Sequence, residues 1–288
     1  MKKAFFVRII MKKDKFNNWL KKPSEYLIMG IVNTTPDSFS DGGKYNSASE
    51  AIDFAYELLR EGADIIDIGG ESSRPGADPI SAEEEIKRIS PLLSELVKNT
   101  KSTVSIDTYK SSTANYALNN GAFLVNDISG LSFDKEMVDI VIRHNAPVVI
   151  MHMKGTPKTM QKNPNYDNVV DEICDFLTNQ VNFAINKGVS SDKIIVDPGI
   201  GFGKTLNDNY EIIAKLNQIC DLGYPVLVGP SRKSFIGATL DEPVEKRLEG
   251  SITAAAMCYH SGAKILRVHD VKETKKSLSI VKKIIENS

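Results

Sequence analysis

Short apolar, β-branched runs alternate along the chain with longer stretches in which apolar residues recur at three- and four-residue spacing. The runs predicted as strands are 27–32, 64–68, 103–106, 123–125, 148–150, 194–196, 226–228 and 265–268. The helical stretches between them are 47–61, 82–98, 111–119, 135–144, 168–187, 208–219, 244–261 and 272–286. Near-continuous apolar strands separated by amphipathic helices are the signature of repeated βα units and a parallel sheet. Eight such pairs in one chain favour a closed (β/α)₈ TIM barrel in the α/β class over an open sheet. Gly62, Gly121, Gly188 and Gly262 each follow a helical stretch and precede a strand, where helix C-caps are expected.

Polar residues follow nearly every strand. The eight runs end, in order, at Asn33, Gly69-Gly70-Glu71, Asp107, Asn126-Asp127, Met151-His152, Asp197, Gly229-Pro230-Ser231-Arg232-Lys233 and Arg267-Val268-His269-Asp270. One Asp after a strand is often a helix N-cap. A polar group at almost every tip exceeds what capping requires, and in a barrel all these tips converge on the C-terminal mouth, where the active sites of this fold lie. Two long loops, 34–44 and 72–79, are rich in Gly, Pro, Ser and Asp and read as mobile lids over that mouth.

Composition narrows the function. The 288 residues hold 36 Lys and Arg against 37 Asp and Glu, a net charge of −1. A general nucleic-acid binder carries a basic excess, so nucleic acid is not an expected partner. The three cysteines, Cys174, Cys220 and Cys258, are scattered and unpaired in sequence, as buried thiols in a reducing compartment are. The apolar start at Ala4-Phe5-Phe6-Val7 is cut by Arg8 and followed by Lys12, Lys13 and Lys15, too short for a signal peptide. No run approaches the roughly 20 apolar residues of a membrane span. A cytoplasmic enzyme without membrane contact is expected.

The residue types suggest an anionic ligand and a heterocycle. Arg232 and Lys233 after the seventh strand, and Arg267 and His269 after the eighth, fall where barrels often bind phosphate. The bland alternative pairs Arg267 with Asp270 in a rim salt bridge. Asp107, Asn126 and Asp197 suit a guanidine-like ring edge with several N–H donors and a carbonyl. Equally, Asp107, Asp197 and Asn33 are oxygen donors of the kind a divalent metal takes. The stretch 199–205, Gly-Ile-Gly-Phe-Gly-Lys-Thr, fits neither a Walker A loop nor a dinucleotide fingerprint, and reads as a flexible loop.

Several stretches together resemble a known family. Met29-Gly30-Ile31-Val32-Asn33-Thr34-Thr35-Pro36-Asp37-Ser38-Phe39-Ser40-Asp41-Gly42-Gly43 and Gly69-Gly70-Glu71-Ser72-Ser73-Arg74-Pro75-Gly76 are similar to the two signatures of the dihydropteroate synthases, which are pterin-binding enzymes. Ser105-Ile106-Asp107-Thr108, Val125-Asn126-Asp127, Met151-His152-Met153, Asp197-Pro198-Gly199-Ile200-Gly201-Phe202-Gly203-Lys204, Ser231-Arg232-Lys233-Ser234 and Arg267-Val268-His269-Asp270 match in the same order. The likeness runs from about Tyr26 to Asp270, giving a barrel domain over 25–288. Residues 1–24 form an N-terminal extension that either caps the barrel bottom or takes no fixed structure.

The resemblance implies condensation of (7,8-dihydropterin-6-yl)methyl diphosphate with 4-aminobenzoate, a step of folate biosynthesis in a family whose arylamine substrate sulfonamides mimic. It implies Mg²⁺ held by Asn33 with the diphosphate, and Ser73, Arg267 and His269 on the diphosphate itself. Asp107, Asn126, Asp197 and Lys233 grip the pterin, with Met151 packed near it. Phe39 and Pro75 enclose 4-aminobenzoate and Ser234 meets its carboxylate. Asp37 and Arg74 join Asp107 and Lys233 among the catalytic residues, and the family implies a homodimer. Two departures stand out: Ser73 replaces the usual Thr, and Thr34 the commoner Val. A pterin-binding methyltransferase domain would share the barrel without the two long loops or the Arg-x-His pair, and a silent paralogue would have lost a charged group that is present here.

Overall fold

Each strand is short and buried on both faces, as parallel strands wrapped by helices must be. The structure is a computed structural model, described for residues 12–35, 47–100 and 102–287. Eight parallel strands form it: β1 (Leu27–Asn33), β2 (Ile65–Gly69), β3 (Thr103–Asp107), β4 (Leu124–Asp127), β5 (Val148–Met151), β6 (Ile194–Asp197), β7 (Leu227–Val228) and β8 (Ile265–Val268). Their order is β6-β5-β4-β3-β2-β1-β8-β7, so each strand lies beside its neighbours in sequence and β1 meets β8. The last joint, β6 to β7, is a single bridge between Val196 and Val226 among the described residues. The barrel is nearly closed.

The outer layer consists of α2 (Ser47–Glu61), α3 (Ala82–Asn99), α4 (Ser111–Asn119), α5 (Met137–His144), α6 (Val169–Lys187), α7 (Leu206–Ala214), α8 (Leu216–Cys220), α9 (Ser234–Leu240), α10 (Leu248–His260) and α11 (Val271–Ile285). Their apolar faces cover the outward strand residues, Ile28, Val32, Ile66, Ile68, Val104 and Ile106 among them. The helix-ending glycines behave as expected. Gly62, Gly121, Gly188 and Gly262 all take positive φ, from 100 to 117°. The 208–219 stretch is broken at Lys215 into α7 and α8, and 244–261 opens with a 3₁₀ turn (Val244–Lys246) before α10. No helix of the described residues is long and apolar enough to cross a membrane.

The period-two alternation of the strands decides what faces the barrel axis. At the N-terminal end the inward residues are apolar: Leu27, Met29, Ile65, Leu124, Val149, Ile195, Leu227 and Ile265. A short helix, α1 (Lys13–Lys21), packs Phe16, Trp19 and Leu20 onto this layer. Phe16 stacks on Trp19 and meets Phe123 edge-on, both at 5.6 Å, while Trp19 Nε1 donates to the Glu25 carbonyl at 2.8 Å. Two positions further along, the inward residue changes character. Ile65 gives way to Asp67, Leu124 to Asn126, Ile195 to Asp197 and Ile265 to Arg267. The bottom is a sealed apolar plug and the top a polar basin.

Candidate active site

Arg267 is the centre of that basin. It rises from β8, and its Nε donates to Asp67 Oδ2 and its Nη2 to Asp107 Oδ2, both at 2.7 Å. Asn126 Nδ2 donates to the same Asp67 oxygen at 3.0 Å. Asp67 is fully buried, and its Oδ1 and Asn126 Oδ1 have no hydrogen-bond partner among the described residues. Buried acceptors of that kind need donors, and a ring edge bearing N–H groups supplies them. Burial raises the Asp107 carboxyl above its usual range, reinforced by Asp67 and Glu85 and opposed by Arg267 and Lys233.

Asp197, on β6, accepts from the Gly199 amide at 2.7 Å through Oδ1. Burial pushes its carboxyl up to about 6, against the Gly199 amide, Lys233, Lys204 and Arg267. Lys233 lies opposite, its ammonium 4.0 Å from the centroid of the Phe202 ring. Burial and the charge of Arg267 bring Lys233 down to about 8, with Asp197 and Asp107 opposing. Met151, at the tip of β5, joins Ile128, Met153, Met160 and Phe202 in a small apolar wall beside these charges. The structure therefore brings Asp107, Asn126, Met151, Asp197, Lys233 and Arg267 into one pocket.

The 199–205 segment is not the flexible loop its glycines suggest. Lys204 is buried and donates to His152 Nδ1 at 3.0 Å, the His152 carbonyl at 3.3 Å and the Phe202 carbonyl at 2.9 Å. Burial lowers Lys204 to about 7 and His152 to about 2, so the imidazole is a neutral acceptor. Gly199, at φ 68°, passes so close to β5 that an added Cβ would lie 2.0 Å from the His152 carbonyl oxygen. Gly201 N donates to Asn209 Oδ1 at 2.7 Å, and Tyr166 OH donates to the Gly203 carbonyl at 2.6 Å. The glycines serve close packing, and the packing seats Phe202 under Lys233.

The rim salt bridge exists with a different arginine. Arg232 donates through Nε and Nη2 to the two oxygens of Asp270, at 3.0 and 2.5 Å, while Arg267 turns inward. Arg232 is thereby spoken for, and Arg267 reaches carboxylates before any phosphate. His269 shares a hydrogen bond with Ser231 Oγ through Nδ1 at 3.1 Å, and burial with nearby Arg267 and Arg232 lowers it to about 3. Ser234 opens α9, exposed beside Lys233. Asn33 ends β1 next to Gly69, whose carbonyl accepts from Thr34 N and Oγ1 at 2.8 and 3.2 Å.

The loop residues are placed less centrally. Ser73 is half-buried, Arg74 and Pro75 are exposed, and among the described residues no hydrogen bond joins the Arg74 side chain to Asp107 or Lys233. The second loop instead docks on the segment after β5, with Gly76 N donating to the Pro157 carbonyl at 3.1 Å and Lys158 pairing with Asp78 at 2.7 Å. Asp37 and Phe39 lie outside the described residues. Asp67, Phe202 and Lys204 are pocket residues that the strand-tip pattern passes over. An Asp inside Ile65-Ile66-Asp67-Ile68 was the available signal, since a charge in an apolar strand needs a buried partner.

No three of His, Cys, Asp or Glu gather for a metal among the described residues, and Asp107 is already bound to Arg267. Asn33 remains as one neutral oxygen donor, which fits Mg²⁺ arriving with a diphosphate, since that ion commonly takes few protein ligands plus phosphate oxygens and water.

Comparison with known proteins follows the same lines. The family model described as pterin binding enzyme matches residues 29–269. The dihydropteroate synthase of Haemophilus influenzae is 45% identical over 253 residues, 88% of this chain and 92% of the relative. That of Bacillus subtilis is 45% identical over 247 residues, 86% of this chain and 84% of the relative. Among solved structures, the Xanthomonas albilineans dihydropteroate synthase with 4-aminobenzoic acid is 40% identical with a TM-score of 0.86, covering 91% of this chain and 94% of that one. The Yersinia pestis enzyme in a sulfonamide drug complex is 39% identical with a TM-score of 0.87, covering 92% and 96%.

Proposed function

The chain belongs to the pterin-binding enzymes and, within them, to the transferases named dihydropteroate synthases, and on that premise we propose that it condenses (7,8-dihydropterin-6-yl)methyl diphosphate with 4-aminobenzoate. The observation that supports this substrate most directly is the set Asp67, Asp107, Asn126, Asp197, Lys233 and Arg267, where two buried acceptor oxygens, on Asp67 and Asn126, lack partners among the described residues and stand beside two cations.

In this reading Asp197 and Asn126 accept from the N–H groups of the pterin's guanidine-like edge, and Lys233 donates to its ring acceptors. Asp107, held by Arg267, places a carboxylate against the ring as positive charge develops on the methylene carbon. That carbon loses its bond to the diphosphate oxygen and gains one to the arylamine nitrogen, whose proton leaves afterwards. The electron pair of the broken bond departs with diphosphate. His269, neutral in the free protein, donates to the leaving group from the mouth, and Ser73 and Ser234 contribute hydroxyls at the same rim. Asn33 would hold Mg²⁺ together with the diphosphate, and the ion would supply charge neutralisation on the leaving group. No side chain acts as a nucleophile.

The test is formation of 7,8-dihydropteroate from the two substrates, with and without Mg²⁺ and with Lys233→Ala. Product that requires both supports the reading. Tight pterin binding without product would replace it with a silent pterin-binding protein. The same reading includes a homodimer, for which Met257 on α10 and Ile280 and Ile284 on the adjoining α11 offer apolar surface, 48, 64 and 61% exposed. A monomeric mass by sedimentation would remove that part alone.

A further inference from the structure

The second loop begins and ends on one carboxylate. Glu71 follows the tip of β2, and its Oε2 accepts from the backbone N of Ile80 at 2.9 Å, so residues 72–79 are closed at the base by the side chain that precedes them. The carboxylate is itself fixed from behind. Tyr109 OH donates to Oε1 at 2.5 Å and Lys110 Nζ to Oε2 at 2.6 Å. Lys110 also reaches Glu85 Oε2 at 3.0 Å, where Thr113 Oγ1 donates as well, and its ammonium lies 4.5 Å from the Tyr109 ring centroid. The side chains of Lys110, Glu71 and Glu85 are 16, 10 and 1% exposed.

Burying two carboxylates around one ammonium is costly, and apolar packing in the same volume would serve stability at least as well. The cluster touches the loop base and leaves the pterin contacts to other residues. Its surroundings allow no slack, because an added Cβ on Gly70 would lie 2.9 Å from Glu85 Cγ and from Ile89 Cγ2, while Arg88 Nη1 holds the Gly70 carbonyl at 3.2 Å. Removing Lys110 leaves Glu71 and Glu85 facing each other uncompensated, and the nearest relief is for Glu71 to swing out and release Ile80.

We propose that Lys110 is a positioning residue for the arylamine half of the reaction. By neutralising Glu71 and Glu85 it lets Glu71 clamp the base of the loop that carries Ser73, Arg74 and Pro75. The inference rests on the reading of the pocket given above and concerns a contact to neither substrate.

Lys110→Met, Lys110→Arg and Glu71→Ala are to be compared with wild type. The KM for 4-aminobenzoate rises at least about tenfold in Lys110→Met, while the Kd of a pterin lacking the diphosphate moves less than about twofold. Lys110→Arg recovers most of the loss. If Lys110→Met does not fold, Glu71→Ala carries the comparison, since it removes the acceptor for Ile80 while leaving Lys110 paired with Glu85. Hydrogen exchange over residues 72–80 reads the clamp without turnover and is faster in Lys110→Met and Glu71→Ala, so an inactive wild type would sink the reaction assignment and still leave this inference testable. Folded variants with lowered Tm but unchanged KM and exchange would overturn it, as would joint loss of pterin affinity and arylamine KM.

Discussion

Asp197→Asn removes one negative charge from the pocket and leaves the side chain's shape. Burial holds the Asp197 carboxyl at about 6 against an ordinary 3.8. The difference is about two pKa units, and at about 1.4 kcal/mol each the ionised form costs the folded protein about 3 kcal/mol. The folded pKa lies above the unfolded one, so the stability this group contributes is fully present below about pH 4 and is lost as pH rises through about 6. Asparagine does not titrate and keeps what Asp197 loses. Its amide still accepts from Gly199 through oxygen, but its NH₂ faces Lys233 and Lys204, which reduces the expected gain to about 1–3 kcal/mol at pH 7.5. For a chain of this size that raises Tm by roughly 3–8 °C. Calorimetry of both proteins from pH 5 to 8 is the assay, paired with pterin titration. The variant should gain most at high pH, roughly half as much at pH 5, and lose pterin affinity by about a hundredfold as a charge-assisted pair is removed. A variant less stable at pH 7.5, or one with a gain independent of pH, refutes the reasoning.

Three further outcomes follow from the geometry. Pterin affinity should rise through about pH 6 as Asp197 ionises and fall above about 8 as Lys233 loses its proton, and a flat isothermal titration series from pH 5 to 9.5 would contradict those assignments. Gly199→Ala meets the His152 carbonyl at 2.0 Å at a φ of 68°, whereas Gly223→Ala, at φ 84°, meets nothing within 4 Å. Urea unfolding should show the first losing about 3 kcal/mol or more and the second about 1. Trp19→Ala opens the apolar plug at the closed end and should cost about 3–5 kcal/mol in denaturation with kcat and KM unchanged. A KM shift there would mean that bottom and mouth are coupled.

The sequence made the barrel legible because alternation of strand and helix patterns survives in every unit, and because polar residues gather where the strands stop. Its strand ends fall short at β1 through β6, since a hydrophobic pattern stops at Asn33, Asp107 or Asp197 while the backbone ladder continues through them. The residues it passed over act below or behind the tips. Asp67 sits inside a strand and takes its meaning from Arg267, 200 residues away. Lys204 lies in a glycine-rich stretch whose composition says flexible, and only the approach of Gly199 to β5 shows that it is pinned. The exchange of partners between Arg232 and Arg267 was equally hidden, because the two arginines differ in whether the backbone points them outward or inward, and no local pattern records that. The sequence leaves the N-terminal extension open between a cap and no fixed structure, because a nine-residue helix such as α1 acquires a partner for Phe16, Trp19 and Leu20 only once the barrel bottom exists.

The joint between β6 and β7 has one more consequence. Seven neighbouring strand pairs share ladders, and the eighth holds by the Val196–Val226 bridge. Asp197 stands immediately past that bridge on one side, and Lys233 beyond β7 on the other. On the proposed reading, a ring held between these two side chains would span the gap that the backbone leaves and would supply a rung there. Binding would then do mechanical work as well as chemical, bracing the hoop across its shortest joint.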